Sequence, residues 1–126
     1  MRTAIWFSRH EPGVEQLRDM EGMGFSITQK EKGMRLGVLR LNSPEDVRGL
    51  LEELYGLIEE AKAEAVFGVF PTPLLQKMWE TVEERLYEEI GLAGTVPCFS
   101  SWNVNRAGEG EKPSFEHRVF QQIGVI

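Results

Sequence analysis

A run of six residues without a polar side chain, residues 65–70, constrains the fold of this chain more than any other feature. A strand with one face in water alternates apolar and polar side chains, whereas a strand covered on both faces is apolar throughout. Pro71 and Pro73 break the run at strand length. The run therefore predicts a central strand with helices on both faces, which places the chain in the α/β class.

Strands and helices alternate along the rest of the sequence. The clearest helix begins after Ser43, a hydroxyl cap followed by Pro44, and extends to about Lys62. The other predicted elements are strands at 2–7, 24–29, 65–70, 96–100 and 115–126, a strand or extended segment at 34–41, helices at 12–20 and from Thr72 to Gly91 and Gly94, a polar turn at 30–33 and a polar loop at 103–113. This order predicts a three-layer α/β sandwich with a mainly parallel central sheet, forming a single domain over residues 1–126.

Composition limits the classes of partner. The net charge of −6 disfavours binding to a long nucleic-acid polymer, because the phosphate backbone would be repelled. Residues 1–10 contain Arg2 and Arg9 but no acid, so a small anionic ligand is compatible with that segment. No apolar stretch reaches the roughly 18 residues of a membrane span, and the first residues lack the apolar core of a signal peptide. We therefore expect a cytoplasmic protein without a membrane partner.

Polar side chains follow three of the predicted strands. The segments are Ser8-Arg9-His10, Pro71-Thr72-Pro73 and Ser100-Ser101-Trp102-Asn103. The carboxyl ends of parallel strands meet at one edge of a sheet, so these segments are expected to share a rim. In the first segment a hydroxyl can position or attack, a guanidinium can bind phosphate and an imidazole can move protons. Thr72 would add an anion-receptive helix start, although capping is the commoner use of threonine there.

Other candidate residues have an ordinary structural interpretation beside the functional one. Ser100, Ser101, Asn103 and Asn105, together with Arg106, form a polar cluster that could bind a ligand or simply serve a loop. Alternation around His117 favours a half-buried, hydrogen-bonded histidine.

One cysteine and one tryptophan in the same region are also open to more than one interpretation. Cys98 follows a proline in an apolar strand and has no neighbouring cation, which favours a core cysteine. Trp102 could stack on a base or cover the core. As the single cysteine of the chain, Cys98 allows no intrachain disulfide.

Motifs of several enzyme classes are missing from the sequence. It contains no paired Cys/His ligands, no phosphate-binding P-loop, no G-x-G-x-x-G and no G-x-S-x-G. The two aspartates, Asp19 and Asp46, fall in predicted helices, whereas a magnesium site would need carboxylates at strand ends. We therefore expect any chemistry to be independent of metals and cofactors.

Two segments resemble a protein family. Residues 5–12, followed by Glu15 and Gln16, resemble the start of small stand-alone CRISPR-associated proteins of type III systems, in which a strand ending in a serine–histidine pair precedes such a helix. The ending is similar as well, with residues 96–100, then Arg106, then residues 115–120.

The resemblance implies a ring nuclease, a homodimeric Rossmann-like domain related to the CARF fold. Such proteins bind cyclic oligoadenylate, usually the tetramer, and cut it to switch off the antiviral signal. The resemblance further implies attack by a ribose 2′-hydroxyl, which leaves a 2′,3′-cyclic phosphate. By matching position, Ser8 would hold the phosphate or the 2′-hydroxyl, Arg9 would stabilise negative charge and His10 would be general base or acid. Arg106 would be a second phosphate ligand.

Two other functions remain open from the sequence. The chain could be a sensor or sponge that holds a cyclic or linear nucleotide without cutting it. It could also be a regulatory α/β protein whose acidic helices dock on a basic partner.

Overall fold

A computed structural model describes residues 1–88 and 96–126 of the chain. The elements are β1 Arg2–Phe7, α1 Val14–Gly22, β2 Phe25–Thr28, α2 Lys30–Gly37, α3 Pro44–Ala61, β3 Ala65–Gly68, α4 Thr72–Glu88, β4 Pro97–Asn105 and β5 Phe115–Val125. The predicted end of the last helix at Gly91 and Gly94 lies outside the described residues.

The strands form a five-stranded sheet in the order β2-β1-β3-β4-β5. β1 pairs in parallel with β2 and β3, and β3 pairs in parallel with β4, whereas β5 returns antiparallel to β4. All four residues of β3 are buried in the middle of this sheet. The predictions of an α/β protein, a mainly parallel sheet and an apolar central strand are therefore confirmed.

β1 sends its side chains alternately into two apolar clusters. Ile5 and Phe7 join the cluster that contains the buried side chains of α3, such as Leu54. Ala4 and Trp6 join the second cluster, whose other members include Met20 of α1. Burial of each large apolar side chain contributes about 1.5–3 kcal/mol relative to exposure. Packing against both clusters holds β1 firmly, and so it also holds the residues that follow it.

The boundaries of α3 agree with the sequence prediction. The Ser43 hydroxyl accepts a hydrogen bond from the backbone N–H of Asp46 at 3.2 Å, and Pro44 is the first helical residue. Lys62, with a φ of 52°, ends the helix in the left-handed conformation. Local chemistry therefore explains the start of this helix, whereas the left-handed Lys62 at its end is not a residue that favours this conformation.

The predicted polar turn at 30–33 and strand at 34–41 are wrong, because residues 30–37 form the helix α2. Gly33 and Gly37 lie one helical turn apart on the side of α2 that contacts the end of β1. A Cβ atom at Gly33 would overlap the carbonyl oxygen of Trp6, and one at Gly37 would overlap the backbone of Ser8. This close approach of helix and strand backbones requires glycine, and the apolar content of the segment alone could not indicate it.

The last third differs from its prediction at one boundary. β4 continues to Asn105 rather than ending at Ser100, so the loop covers residues 106–114 rather than 103–113. Pairing with β5 satisfies the backbone of these polar residues. Register shifts after Cys98 and after Trp102 interrupt the alternation that would have revealed the longer strand. The predicted hairpin arm over 115–126 is confirmed by β5.

Candidate functional site

A cleft of about 630 Å³ lies at the carboxyl end of β1, between the start of α1 and the β4–β5 hairpin. Four residues predicted from the sequence line it: Ser8, His10, Asn103 and Arg106. The remaining polar and charged residues of its wall are Glu11, Glu15, Gln16, Ser114, Glu116 and His117. Polar residues at the ends of β1 and β4 do lie together, as expected, and these two strands lie on either side of β3.

Hydrogen bonds to neighbouring groups hold the turn after β1. The Ser8 hydroxyl accepts from the backbone N–H of His10 at 3.2 Å, and Trp6 Nε1 donates to the carbonyl oxygen of His10 at 2.8 Å. Ser8 is only 3% exposed, whereas His10 is exposed. The Ser8 hydroxyl keeps its own hydrogen for donation. A ligand in the cleft therefore has free access to the imidazole of His10 and little access to the buried Ser8 hydroxyl.

Arg9 reaches the site through His10. Its Nε donates to His10 Nε2 at 3.3 Å, but Arg9 is not among the residues that line the cleft. Since Nε2 accepts this bond, the proton of a neutral His10 ring is on Nδ1. The three consecutive residues predicted as catalytic thus have different surroundings: Ser8 is buried, His10 faces the cleft, and Arg9 lies beside His10.

Three acidic side chains line the cleft, Glu11 and Glu15 from just after β1 and Glu116 from β5. Arg106 Nε lies 2.6 Å from an oxygen of Glu116, and Lys30 Nζ lies 2.8 Å from an oxygen of Glu11. The lack of acids in residues 1–10 therefore does not extend to the folded site. An anionic ligand would exchange with Glu116 at Arg106, and this exchange costs little because an exposed ion pair contributes about 0–1 kcal/mol.

A chain of hydrogen bonds connects α1 with the β4–β5 hairpin. Asp19 Oδ2 lies 2.7 Å from His117 Nε2, and His117 Nδ1 lies 2.6 Å from the hydroxyl oxygen of Ser101. The same hydroxyl lies 2.9 Å from Asn103 Oδ1 and accepts from Gln16 Nε2 at 3.2 Å. The His117 side chain is 6% exposed, in agreement with the expected hydrogen-bonded histidine. The network gives this wall of the cleft a defined hydrogen-bond geometry.

The sequence interpretation missed Gln16 and Asp19 as residues near the site. Their spacing of three residues does place them on one face of α1, which is the only local signal. The link from α1 to His117 spans 98 residues. No periodicity in the sequence reports such a contact, because it depends on the register of the β4–β5 hairpin.

Three predicted ligand-binding residues, Thr72, Ser100 and Ser101, do not line the cleft. Ser101 is connected to it through hydrogen bonds to neighbouring residues that do line it. Thr72 is the first residue of α4, and the carbonyl oxygen of Pro71 accepts from the backbone N–H of Leu74 and Leu75 at the start of that helix. The Ser100 hydroxyl accepts from the backbone N–H of Phe70 at 3.5 Å. Neither Thr72 nor Ser100 lines the cleft.

The two side chains that were open to more than one interpretation have clear positions. Cys98 is fully buried, and burial raises the pKa of its thiol well above the usual range. It is therefore a core cysteine rather than a nucleophile. Trp102 is 57% exposed, so it does not cover the core.

Fold and cleft together define an α/β protein with a polar cleft at the carboxyl end of a mainly parallel sheet, where proteins of this class bind ligands. The chain matches no protein-family model, no curated protein and no solved structure. Over residues 1–88 and 96–126, no group of three or more His, Cys, Asp or Glu residues could hold a metal ion. In the same ranges, no helix has the length and apolar character needed to cross a membrane.

Proposed function

We propose that this protein is a ring nuclease, a metal-independent phosphodiesterase that binds and cleaves cyclic oligoadenylate. The proposed substrate is cyclic tetra-adenylate. The role of the protein would be to switch off type III CRISPR signalling in the cytoplasm. The observation that carries the proposal is the shared cleft of Ser8, His10 and Arg106, because phosphodiester cleavage needs phosphate-binding groups beside a proton carrier. The resemblance of the flanking segments to ring nucleases supplies the substrate class. It also supports a Rossmann-like, three-layer architecture formed by a single domain.

The proposed reaction is an intramolecular transfer at one phosphate. The ribose 2′-oxygen forms a bond to phosphorus, and the bond from phosphorus to the 5′-oxygen of the next nucleotide breaks. The proton of the 2′-hydroxyl moves to His10. The departing 5′-oxygen takes a proton from a water molecule, and His10 returns its proton to that water, so no net proton is consumed. The products are a 2′,3′-cyclic phosphate and a 5′-hydroxyl. The protein contributes orientation and stabilisation of the developing negative charge.

From the contacts of the cleft we propose a role for each side chain in this reaction. His10 Nε2 accepts from Arg9, so a 2′-hydroxyl that donates to this nitrogen displaces the guanidinium. Arg9 is then released towards the phosphate oxygens, where positive charge is needed. The Ser8 hydroxyl donates its hydrogen to the phosphate, and Arg106 binds the phosphate after exchange with Glu116.

The size of the cleft supports the proposal of a homodimer. Sites of about 300–1,000 Å³ suit ligands of drug size, and this cleft measures about 630 Å³. One cleft therefore suits a part of a cyclic oligonucleotide rather than the whole ring. A two-fold dimer would present two clefts to one symmetric ring.

The test is turnover of cyclic tri-, tetra- and hexa-adenylate, followed by mass spectrometry in excess chelator with less enzyme than substrate. We expect linear products ending in a 2′,3′-cyclic phosphate. The His10→Ala variant should lose at least about 100-fold in rate, the usual contribution of a general base or acid. Pure dimeric protein that leaves every ring intact would refute the proposal.

Substitutions at the Arg106–Glu116 pair test the assignment of the phosphate site. Arg106→Ala should weaken binding of the ring, whereas Glu116→Gln should strengthen it a few-fold because it frees the guanidinium. Arg48→Ala is the matched control, since Arg48 forms an exposed pair with Glu52 on α3 and lies outside the cleft. Equal effects of Arg48→Ala and Arg106→Ala would show that only net charge matters.

A sensor or sponge that binds a nucleotide without cutting it is the second candidate. The hydrogen bond from Arg9 Nε to His10 Nε2 at 3.3 Å favours it, because it occupies the nitrogen that would have to accept the 2′-hydroxyl proton. In that case the ligand raises the melting temperature and is recovered intact. His10→Ala would then change affinity and no rate.

A further inference from the structure

The hydrogen-bond network beside the cleft contains one hydroxyl hydrogen with two acceptors in reach. Gln16 Oε1 accepts from the backbone N–H of Gly13 at 2.8 Å, and a backbone N–H can only donate. This bond orients the Gln16 amide, so its Nε2 donates to the Ser101 oxygen at 3.2 Å. The Ser101 hydrogen is then left for either Asn103 Oδ1 or His117 Nδ1, at 2.9 and 2.6 Å.

The protonation state of His117 decides between these two acceptors. The Asp19 carboxylate only accepts, so His117 Nε2 carries a hydrogen in both states. When Nδ1 is protonated as well, it donates to the Ser101 oxygen, and the Ser101 hydrogen goes to Asn103. When Nδ1 is unprotonated, it accepts the Ser101 hydrogen, and the Asn103 amide must rotate to donate to Ser101 instead.

We propose that His117 is a positioning residue that sets, through Ser101, which amide atom Asn103 presents to the cleft. Asn103 lines the cleft, so the amide atom that does not contact Ser101 faces a ligand. The doubly protonated ring leaves the NH₂ group of Asn103 for the ligand, and the neutral ring leaves the carbonyl oxygen. The cleft thereby changes from a site for hydrogen-bond acceptors, such as phosphate oxygens, to a site for donors.

Charged groups of the neighbouring elements line the same cleft as this ring. Asp19 of α1 contacts the ring directly, with Oδ2 2.7 Å from Nε2. The other titratable or charged groups of the cleft are His10 and Glu11 after β1, Glu15 on α1, Arg106 after β4 and Glu116 on β5. Three of these are acids, and Glu116 is already paired with Arg106.

Phosphate binding at this cleft, which rests on the proposed function, would be linked to proton uptake. A phosphate oxygen needs the NH₂ group of Asn103 and so favours the doubly protonated His117. By reciprocity, binding takes up as much as one proton per cleft and weakens as pH rises, by about tenfold per pH unit at most. A histidine that responds only to the charge of the phosphate would also take up a proton, so the coupled change at Asn103 is the readout that distinguishes a positioning role.

The first experiment uses the ligand-free protein and does not depend on the proposed function. NMR follows the His117 ring and the side-chain amide of Asn103 from about pH 5 to about pH 8, where histidines commonly change charge. We expect both signals to change with one midpoint. The amide of Asn105 is the matched control, because its oxygen accepts from the backbone N–H of Ala107 and Ser114 and its orientation is therefore constant.

Two variants test the route of the coupling. Ser101→Ala should leave His117 titrating while the Asn103 amide no longer follows it. His117→Gln, which cannot titrate, should make the Asn103 signal independent of pH and serves if Ser101→Ala does not fold. An Asn103 signal that ignores His117 in the wild type, or that follows it equally in Ser101→Ala, would overturn the proposal.

The second experiment measures binding of cyclic tetra-adenylate by calorimetry in two buffers that differ in ionisation enthalpy. It uses the His10→Ala protein, because the proposed function has the wild type cleave this ring during the measurement. We expect proton uptake by His10→Ala and less by the double variant His10→Ala/His117→Gln. Binding with equal proton uptake in both proteins would refute the role of His117. Absence of any binding would refute the nucleotide ligand. It would leave the coupling of His117 to Asn103 untouched, because the NMR experiment tests that coupling in the ligand-free protein.

Discussion

The contact between α2 and β1 can be tested with a single methyl group. Alanine replaces glycine in the middle of a helix with a gain of about 1 kcal/mol. At Gly33, however, the new Cβ atom would overlap the carbonyl oxygen of Trp6. This oxygen belongs to the backbone of β1 and cannot rotate away, so the overlap should cost about 3 kcal/mol, the upper end of the usual range for overpacking. The expected net result of Gly33→Ala is destabilisation by about 2 kcal/mol.

A matched control lies in α3. At Gly49 nothing is within 4 Å of an added Cβ atom, so Gly49→Ala should stabilise the protein by about 1 kcal/mol. Urea unfolding followed by circular dichroism measures both variants, and the slope of the transition should be unchanged. A Gly33→Ala variant as stable as Gly49→Ala would refute the packing of α2 on β1.

Two further predictions concern the core. Leu54 is 0% exposed, so Leu54→Ala should lower the free energy of unfolding by about 2–5 kcal/mol. Leu39 is 51% exposed, so Leu39→Ala should change that free energy by no more than about 0.5 kcal/mol; similar losses in urea unfolding would contradict the assignment. Because burial raises the pKa of the Cys98 thiol, folded protein at neutral pH should react with a disulfide reagent at least about tenfold more slowly than urea-unfolded protein. Equal rates would show that Cys98 is accessible.

Local sequence patterns predicted the elements that carry a recognisable signal, such as a capping residue or a continuous apolar run. The Ser43 cap defines the start of α3, and the apolar run at 65–70 contains β3. α2 escaped prediction because the contact that stabilises it, Gly33 against the backbone of Trp6, lies between residues distant in the chain. Asn103 was placed in a loop because pairing with β5, rather than its own propensity, makes it part of a strand.

Some residues of the candidate site could be predicted from the sequence and others could not. Ser8, His10 and Asn103 could be predicted because they were placed after strands whose carboxyl ends lie at one edge. Arg106 was predicted from the polar cluster around it and from the family resemblance. Thr72, predicted from its place after a strand, starts α4 and does not line the cleft. The end of a strand tells which edge of the sheet a residue lies at, but not whether the residue lines the cleft. Only the packing of the helices and the hairpin decides that.

The amino-acid sequence by itself determined the α/β class, because an apolar central strand requires cover on both faces, and it identified the polar turn after β1. Only the tertiary structure decided what surrounds that turn. It brings Glu116 to Arg106 and links Asp19 to His117 across 98 residues. Such contacts depend on the register of the hairpin and the position of α1, which result from many small packing contributions spread over the whole core.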